Sequence, residues 1–235
     1  MVKFRFPFMI MFCLVNLNLM AQSKINFFEG NLTINKATGF FGKNIKNINI
    51  GIEGGYLRQL KLDNPIFWGI SIYYFNLGKS GTYTIQEQLD LRLVNFDYST
   101  ESQLLGFNGK MRFYPAIHLA KAELYIESQL GYKWLYTTTT KIISDESNSS
   151  DTNIETGNLS LTYGASMGLN YPITSSLYLN LRGNYLPGLS KPYYAPKLSN
   201  QIQTSTLDLF ELKRSTTDLI RWDIGVTWRF TGDEF

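Results

Sequence analysis

Residues 220–230 alternate strictly between apolar and polar side chains, and this stretch limits the possible folds more than any other. Such period-two alternation predicts a β-strand with one apolar and one polar face. At a rise of about 3.3 Å per residue and a tilt of about 40°, the stretch would cover roughly 25 Å, the apolar thickness that membrane-spanning strands cross. The apolar face carries aromatic residues toward both ends and comprises Ile220, Trp222, Ile224, Val226, Trp228 and Phe230.

Seven further segments alternate in the same way, so the sequence predicts eight strands. These segments are residues 27–34, 47–56, 68–74, 105–113, 122–136, 159–171 and 177–185. The connections alternate between short ones, near 61–65, 114–120 and 172–176, and longer ones, near 36–46, 79–101, 138–157 and 187–217. Short turns on one side and long loops on the other, with an even strand number, are typical of an antiparallel barrel that spans a membrane.

A ten-stranded barrel is the alternative, in which Tyr83–Val94 and Thr204–Lys213 become two additional strands. That arrangement would turn Glu87 toward lipid and would place the longest loops on the same side as the termini. We therefore predict eight strands, with the two additional runs forming hairpin extensions beyond the membrane.

The polar faces of the predicted strands are rich in small residues and carry charges of both signs. A soluble lipocalin-like barrel would point its apolar faces inward around a ligand. Charged polar faces and aromatic residues at the ends of the apolar faces instead favour an apolar exterior and a charged lumen. The predicted lumen charges are Glu53, Lys110, Arg112, Glu123, Glu127, Lys133, Arg182, Arg221, Asp223 and Arg229.

Three ion pairs are predicted inside this lumen: Arg112 with Glu123, Arg182 with Asp223, and Glu29 with Arg229. Such charges serve either a proton path, selectivity filter or gate, or simply the filling of a narrow barrel. We favour the filling role, because an eight-stranded interior is just wide enough for its own side chains and unpaired buried charge is costly.

The N-terminal residues 1–21 read as a secretory signal peptide, with a basic start, an apolar run and a small residue, Ala21, before the cleavage site. The only cysteine, Cys13, lies inside this segment, so the mature chain 22–235 is expected to form no disulfide. Removal of Lys3 and Arg5 lowers the net charge from +3 to +1, which argues against nucleic-acid binding. The single histidine, His118, falls on a short turn, so we expect no metal site, no cofactor and no enzymatic activity.

These features together resemble the small outer-membrane β-barrels of Bacteroidota, broadly the OmpA/OmpX-like and PorT-like groups. The resemblance is one of pattern across residues 22–235 and rests on no sharp motif. It implies an eight-stranded transmembrane barrel in the outer membrane, with periplasmic termini, in contact with outer-membrane lipid and lipopolysaccharide. It also implies that the barrel-assembly machinery reads the last strand through Phe230 or Phe235. No soluble domain is expected after that strand.

The segment 186–196 is the most distinctive of the long connections. Its prolines stiffen the chain and its tyrosines suit contact with a partner protein, so Pro192, Tyr193, Tyr194 and Pro196 form a candidate partner loop. The same segment is equally compatible with folding over the barrel mouth. We expect a structural or interaction role in envelope integrity, adhesion or an envelope or secretion assembly; the alternative is a narrow porin-like channel for small solutes.

Overall fold

The computed structural model of the chain describes residues 24–79, 83–89, 92–143, 150–197 and 206–231. The proposed signal peptide and Phe235 lie outside these residues. Within them, one short helix, α1, spans Gly39–Asn44, and a 3-10 turn spans Thr206–Leu209. The strands are β1 (Ile25–Ala37), β2 (Ile48–Gln59), β3 (Ile66–Lys79), β4 (Tyr83–Leu89), β5 (Arg92–Phe113), β6 (His118–Leu119), β7 (Ala122–Ile143), β8 (Ser150–Pro172), β9 (Leu177–Leu186), β10 (Lys191–Pro196), β11 (Phe210–Ser215) and β12 (Leu219–Thr231).

Eight of these strands form a closed antiparallel ring, and we call them the barrel strands. The order around the ring is β1, β2, β3, β5, β7, β8, β9 and β12, and β12 pairs with β1 to complete it. The predicted fold class, an all-β eight-stranded antiparallel barrel, is therefore confirmed. No helix among the residues that the structure describes is long and apolar enough to cross a membrane.

The strand register staggers by ten residues around the ring. Paired positions lead from Asn26 through the other seven barrel strands and return to β1 at Lys36. The positions between them are Arg58, Trp68, Met111, Ser128, Ala165, Tyr185 and Ile220. At a spacing of about 4.8 Å between strands, this stagger tilts the strands by about 40° and leaves room inside only for side chains.

The alternation predicted for the strands sets the two faces of the barrel as expected. Apolar side chains point outward and polar side chains point into a buried lumen, which excludes the lipocalin-like arrangement. On β12, the outward residues Trp222, Ile224, Val226 and Trp228 are exposed, whereas Phe230 is covered because Phe28 stacks on it at 5.1 Å between ring centroids. Other exposed outward residues include Leu32, Ile34, Ile50, Ile52, Ile70, Ile72, Phe107, Leu130, Met167 and Leu181.

The two runs considered as ninth and tenth barrel strands lie outside the ring. Strand β4 pairs with the part of β5 that extends beyond the end of β3, where Lys79 faces Glu101. This part of β5, together with β4, β7 and β8, rises roughly 30 Å along the strands above the ring. Strand β11 pairs with β10 in a separate two-stranded sheet, so the prediction of eight barrel strands with hairpin extensions is confirmed for the described residues.

Candidate functional site

The middle of the lumen holds eight charged side chains that come from six strands. They are Glu29, Glu53, Lys110, Arg112, Glu127, Arg182, Arg221 and Asp223, and we refer to them as the lumen network. Four are cationic and four are anionic, and none of these side chains has any exposed surface. Their charges balance as a group, which is the condition under which buried ions are tolerated.

Arg182 lies at the centre of the lumen network. Its Nε donates to Asp223 Oδ2 at 2.8 Å, its Nη1 lies 3.2 Å from Glu127 Oε1, and its Nη2 contacts Glu53. Because β2, β7, β9 and β12 contribute these groups, this one guanidinium joins opposite walls of the barrel. Arg182 Nη1 also lies 3.4 Å from Glu29 Oε2, so the guanidinium contacts β1 as well.

Two further cations of the lumen network, Arg112 and Lys110, contact the same carboxylates. Arg112 donates to Glu127 Oε2 at 2.7 Å and to Glu29 Oε1 at 2.6 Å, and its guanidinium stacks over the Tyr125 ring at 3.9 Å. Lys110 Nζ lies 2.5 Å from Glu53 Oε1. Each of these three carboxylates therefore contacts more than one cation, and removal of any of them leaves a buried charge without full compensation.

The predicted ion pairs differ from the observed ones in two of three cases. Arg182 and Asp223 are in contact, as expected. Arg112, however, pairs in register with Glu127, and Glu123 is half-buried opposite His118 at the turn. Glu29 is in register with Thr227 rather than with Arg229, whose Nη1 instead lies 3.4 Å from Tyr178 Oη.

Inward tyrosines fit this narrow lumen because glycines face them. A Cβ atom at Gly106 would collide with the Tyr73 ring, and one at Gly168 would collide with the Tyr125 ring. Glycine thus provides the space that these rings need. The alternation predicted that all four residues point inward, but not that each tyrosine lies against one of the glycines.

The end of the lumen beside the termini is filled by an aromatic plug of Phe27, Leu57, Phe67 and Tyr114. The Phe27 and Phe67 rings lie 4.9 Å apart between centroids, and Tyr114 packs edge-on against Phe67 at 5.5 Å. Tyr114 also contacts Tyr125, at 5.6 Å, so the plug is continuous with the ring that Arg112 covers. Apolar rings therefore close this end of the barrel below the lumen network.

The opposite end is covered by a lid made of α1, β10 and β11. Tyr193, which is 1% exposed, packs edge-on against Phe41 at 4.9 Å and accepts a hydrogen bond from Asn44 Nδ2 at 2.7 Å. The lid shares one buried apolar cluster with the top of the barrel, comprising Ala37, Phe41, Ile45, Tyr73, Phe75, Leu77, Leu104, Leu135, Leu186, Tyr193, Ala195 and Leu219.

The candidate partner loop forms part of the lid. Tyr193 faces the barrel, and the Tyr194 carbonyl accepts a hydrogen bond from Ser102 Oγ at 2.9 Å. Pro192, Tyr194 and Pro196 remain partly exposed on the lid surface. The structure shows the segment folded over the mouth, and contact of its exposed residues with a partner protein stays a prediction.

Lys133 holds the two ends of the segment that carries β10 and β11. Its buried ammonium donates to the carbonyl oxygen of Leu186 at 2.6 Å and to that of Thr217 at 2.7 Å. Ser160 Oγ adds a bond to the Leu189 carbonyl at 2.9 Å. The alternation of β7 predicted that Lys133 faces the lumen. Its bonds to Leu186 and Thr217 could not be predicted, because the path of the segment between these two residues is not encoded in the alternation.

The remaining chemistry-bearing residue, His118, lies exposed at the turn between β5 and β7. It faces Glu123 across a two-residue bridge, at the end of the barrel beside the termini. In the part of the chain that the structure describes, no three His, Cys, Asp or Glu side chains are grouped so that they could hold a metal ion.

No protein-family model and no curated protein matches the sequence. Among solved structures, the chain is similar to Ail, the attachment invasion locus protein of Yersinia pestis, in complex with the heparin analogue sucrose octasulfate. The two sequences are 14% identical, the match covers 90% of this chain and 100% of that chain, and the TM-score is 0.37. Neisserial surface protein A is 9% identical to this chain, with 87% of this chain and 95% of that chain covered and a TM-score of 0.41. A major outer membrane protein from Thermus thermophilus is 12% identical, with 88% of this chain and 99% of that chain covered and a TM-score of 0.44.

Proposed function

We propose that the chain is an outer-membrane β-barrel with periplasmic termini that acts as a closed structural or interaction barrel. The observation that carries this proposal is the combination of an apolar exterior with a lumen filled at three levels. Envelope integrity, adhesion and membership of an envelope or secretion assembly are the roles that such a barrel serves.

The exterior supports placement in a bilayer. Apolar side chains from all eight barrel strands are exposed in one belt, a surface far larger than soluble monomers leave in contact with water. Because the ring closes through β1 and β12, the strands within the belt have neighbours on both sides. Closure is what a lipid environment requires, since unpaired backbone groups there are very costly.

The interior supports a closed barrel over the narrow-channel alternative. A solute would have to pass the aromatic plug, the lumen network and the lid in turn. The lumen network alone joins β1, β2, β5, β7, β9 and β12 through ion pairs whose side chains are fully buried. A conducting state would therefore have to separate several charge pairs in a medium of low dielectric.

The extension formed by β4, β5, β7 and β8 offers the surface for an interaction. Threonines bond across it, with Thr100 and Thr139 hydroxyls at 3.0 Å and those of Thr140 and Thr152 at 3.2 Å. Lys141 Nζ lies 3.8 Å from the Phe96 ring centroid on the same sheet. This sheet above the ring suits contact with another envelope protein, which we place there rather than on the lid tyrosines.

Conductance measurement tests the closed lumen. We expect the purified, refolded protein to insert into planar bilayers without steady single-channel openings, because three filled layers separate the two ends. Heat-modifiable gel mobility and recovery in the outer-membrane fraction should establish that it is folded and correctly located. Reproducible openings of one size would contradict the proposal and favour the porin-like alternative.

Site-specific crosslinking tests the interaction surface. A photoreactive residue at Ile154, exposed on the extension, should capture an envelope protein in native cells. The matched control is Ile173, an equally exposed isoleucine beyond the opposite end of β8, which should not capture that protein. Capture of lipid alone, or of the same protein from both positions, would remove the support for an extension-specific partner.

A further inference from the structure

The outer side of the lid contains a small basic pocket that the closed-barrel role does not use. It has a volume of about 370 Å³ and lies between the end of α1 and the edges of β10 and β11. Four ammonium groups and one carboxylate line it, from Lys43, Lys46, Lys197, Lys213 and Glu211, and we call it the lysine pocket.

The charges of the lysine pocket are only partly compensated within the chain. Lys213 Nζ pairs with Glu211 Oε1 at 2.6 Å, and Lys43 Nζ lies 4.7 Å from the Phe40 ring centroid. Lys46 and Lys197 are exposed and form no ion pair with any residue that the structure describes. Three positive charges thus remain in excess around a concave surface, an arrangement that attracts an anion.

The lysine pocket adjoins, through Lys46, an aliphatic strip on the outer wall of the barrel. Lys46 precedes β2, whose outward residues Ile48, Ile50 and Ile52 are 63%, 73% and 59% exposed. Ile34 on β1 faces Ile50 across the strand pair, so the strip is two strands wide. Lys36, also exposed, faces Ile48 and adds another ammonium at the upper limit of the strip.

We propose that this surface binds an anionic lipid whose head carries phosphate, with the phosphate in the lysine pocket and the acyl chains along the aliphatic strip. The proposal rests on the proposed function, which places the lid at the outer leaflet. A freely soluble polyanion would use the ammonium groups but would have no need of the isoleucines. The continuity of the two surfaces therefore favours a lipid, whose own two parts are joined in the same order.

Native mass spectrometry of the full chain tests this proposal, with diphosphoryl lipid A in neutral detergent micelles as the probe. We expect Lys46→Gln/Lys197→Gln to weaken binding by about tenfold or more, because charge-assisted contacts to phosphate are lost. Lys61→Gln/Lys121→Gln removes the same charge at the turns beside the termini and should leave binding within about twofold. Dephosphorylated lipid A should bind as weakly to the unmodified chain as diphosphoryl lipid A does to the first variant.

The source of the phosphate is tested by competition with inositol hexakisphosphate, which has no acyl chain. We expect inositol hexakisphosphate to displace lipid A only weakly. We also expect Ile50→Thr to weaken the binding of lipid A but not the binding of inositol hexakisphosphate. Equal binding of the soluble anion, or equal loss in both double-lysine variants, would overturn the proposal. Insertion into neutral bilayers is measured in parallel, because it tests the proposed barrel function separately. A chain that inserts but binds diphosphoryl and dephosphorylated lipid A equally would refute the lipid site and leave the barrel function standing.

Discussion

Leu181→Arg is expected to block assembly of the barrel, because it places a charge in the middle of the apolar belt. Leu181 is outward and exposed on β9, and its register partner on β12 is Ile224, near the centre of that strand. An arginine at the midplane of a bilayer costs about 2–4 kcal/mol in transmembrane barrels. We expect the free energy of unfolding in vesicles to fall by about that amount and the folded, heat-modifiable band to be largely lost.

The matched control is Leu177→Arg, which makes the same exchange at the first residue of the same strand. Near the interface an arginine costs about 0–1 kcal/mol, since its guanidinium reaches water. Urea titration of both variants in the same vesicles gives the comparison. Equal stabilities for the two variants would mean that the belt does not face lipid.

Glu53→Gln is expected to destabilise the barrel from the inside by about 3–5 kcal/mol, the cost of breaking a buried ion pair. Glu53 contacts Lys110, Arg182 and Arg221, the last at 3.3 Å. Its neutralisation leaves four buried cations against three carboxylates. Tryptophan fluorescence during urea unfolding measures this loss, because outward tryptophans lie on β3, which adjoins β2, and on β12, which carries Arg221.

A second substitution distinguishes charge balance from lost packing. Glu53→Gln/Lys110→Met removes one charge of each sign and restores neutrality in the lumen network. We expect it to recover a large part of the stability lost in Glu53→Gln, since a neutral replacement of a buried pair is often tolerated. If the two losses simply add, the lumen network is not held by charge balance.

Most of the barrel could be predicted because its signal is local. Each barrel strand carries its own alternation, so the outward position of Ile224 and the inward position of Asp223 follow from parity alone. The pairing of Arg182 with Asp223 was within reach because β9 and β12 are neighbours in the ring. The count of eight barrel strands followed from the eight alternating segments, and the alternating connection lengths agreed with it.

The partners within the lumen network were harder to predict. Arg112 meets Glu127 rather than Glu123 because the turn after β5 sets the register four residues further along β7. Glu29 meets Arg112 across the lumen, a contact between strands that are not neighbours. Such contacts depend on the stagger of ten residues, which no single strand records.

The sequence by itself determined the strands, their two faces and the charged interior, because the direction of a side chain on a strand depends only on its parity. Tertiary structure alone decided the partners of Arg112, Glu29 and Arg229, the aromatic plug and the lid. Closing the ring brings β1 against β12 across nearly the whole chain, and the lid packs α1 against β10 through Phe41 and Tyr193. These contacts join segments distant in sequence, so the local alternation of residues 220–230 and its counterparts contains no information about them.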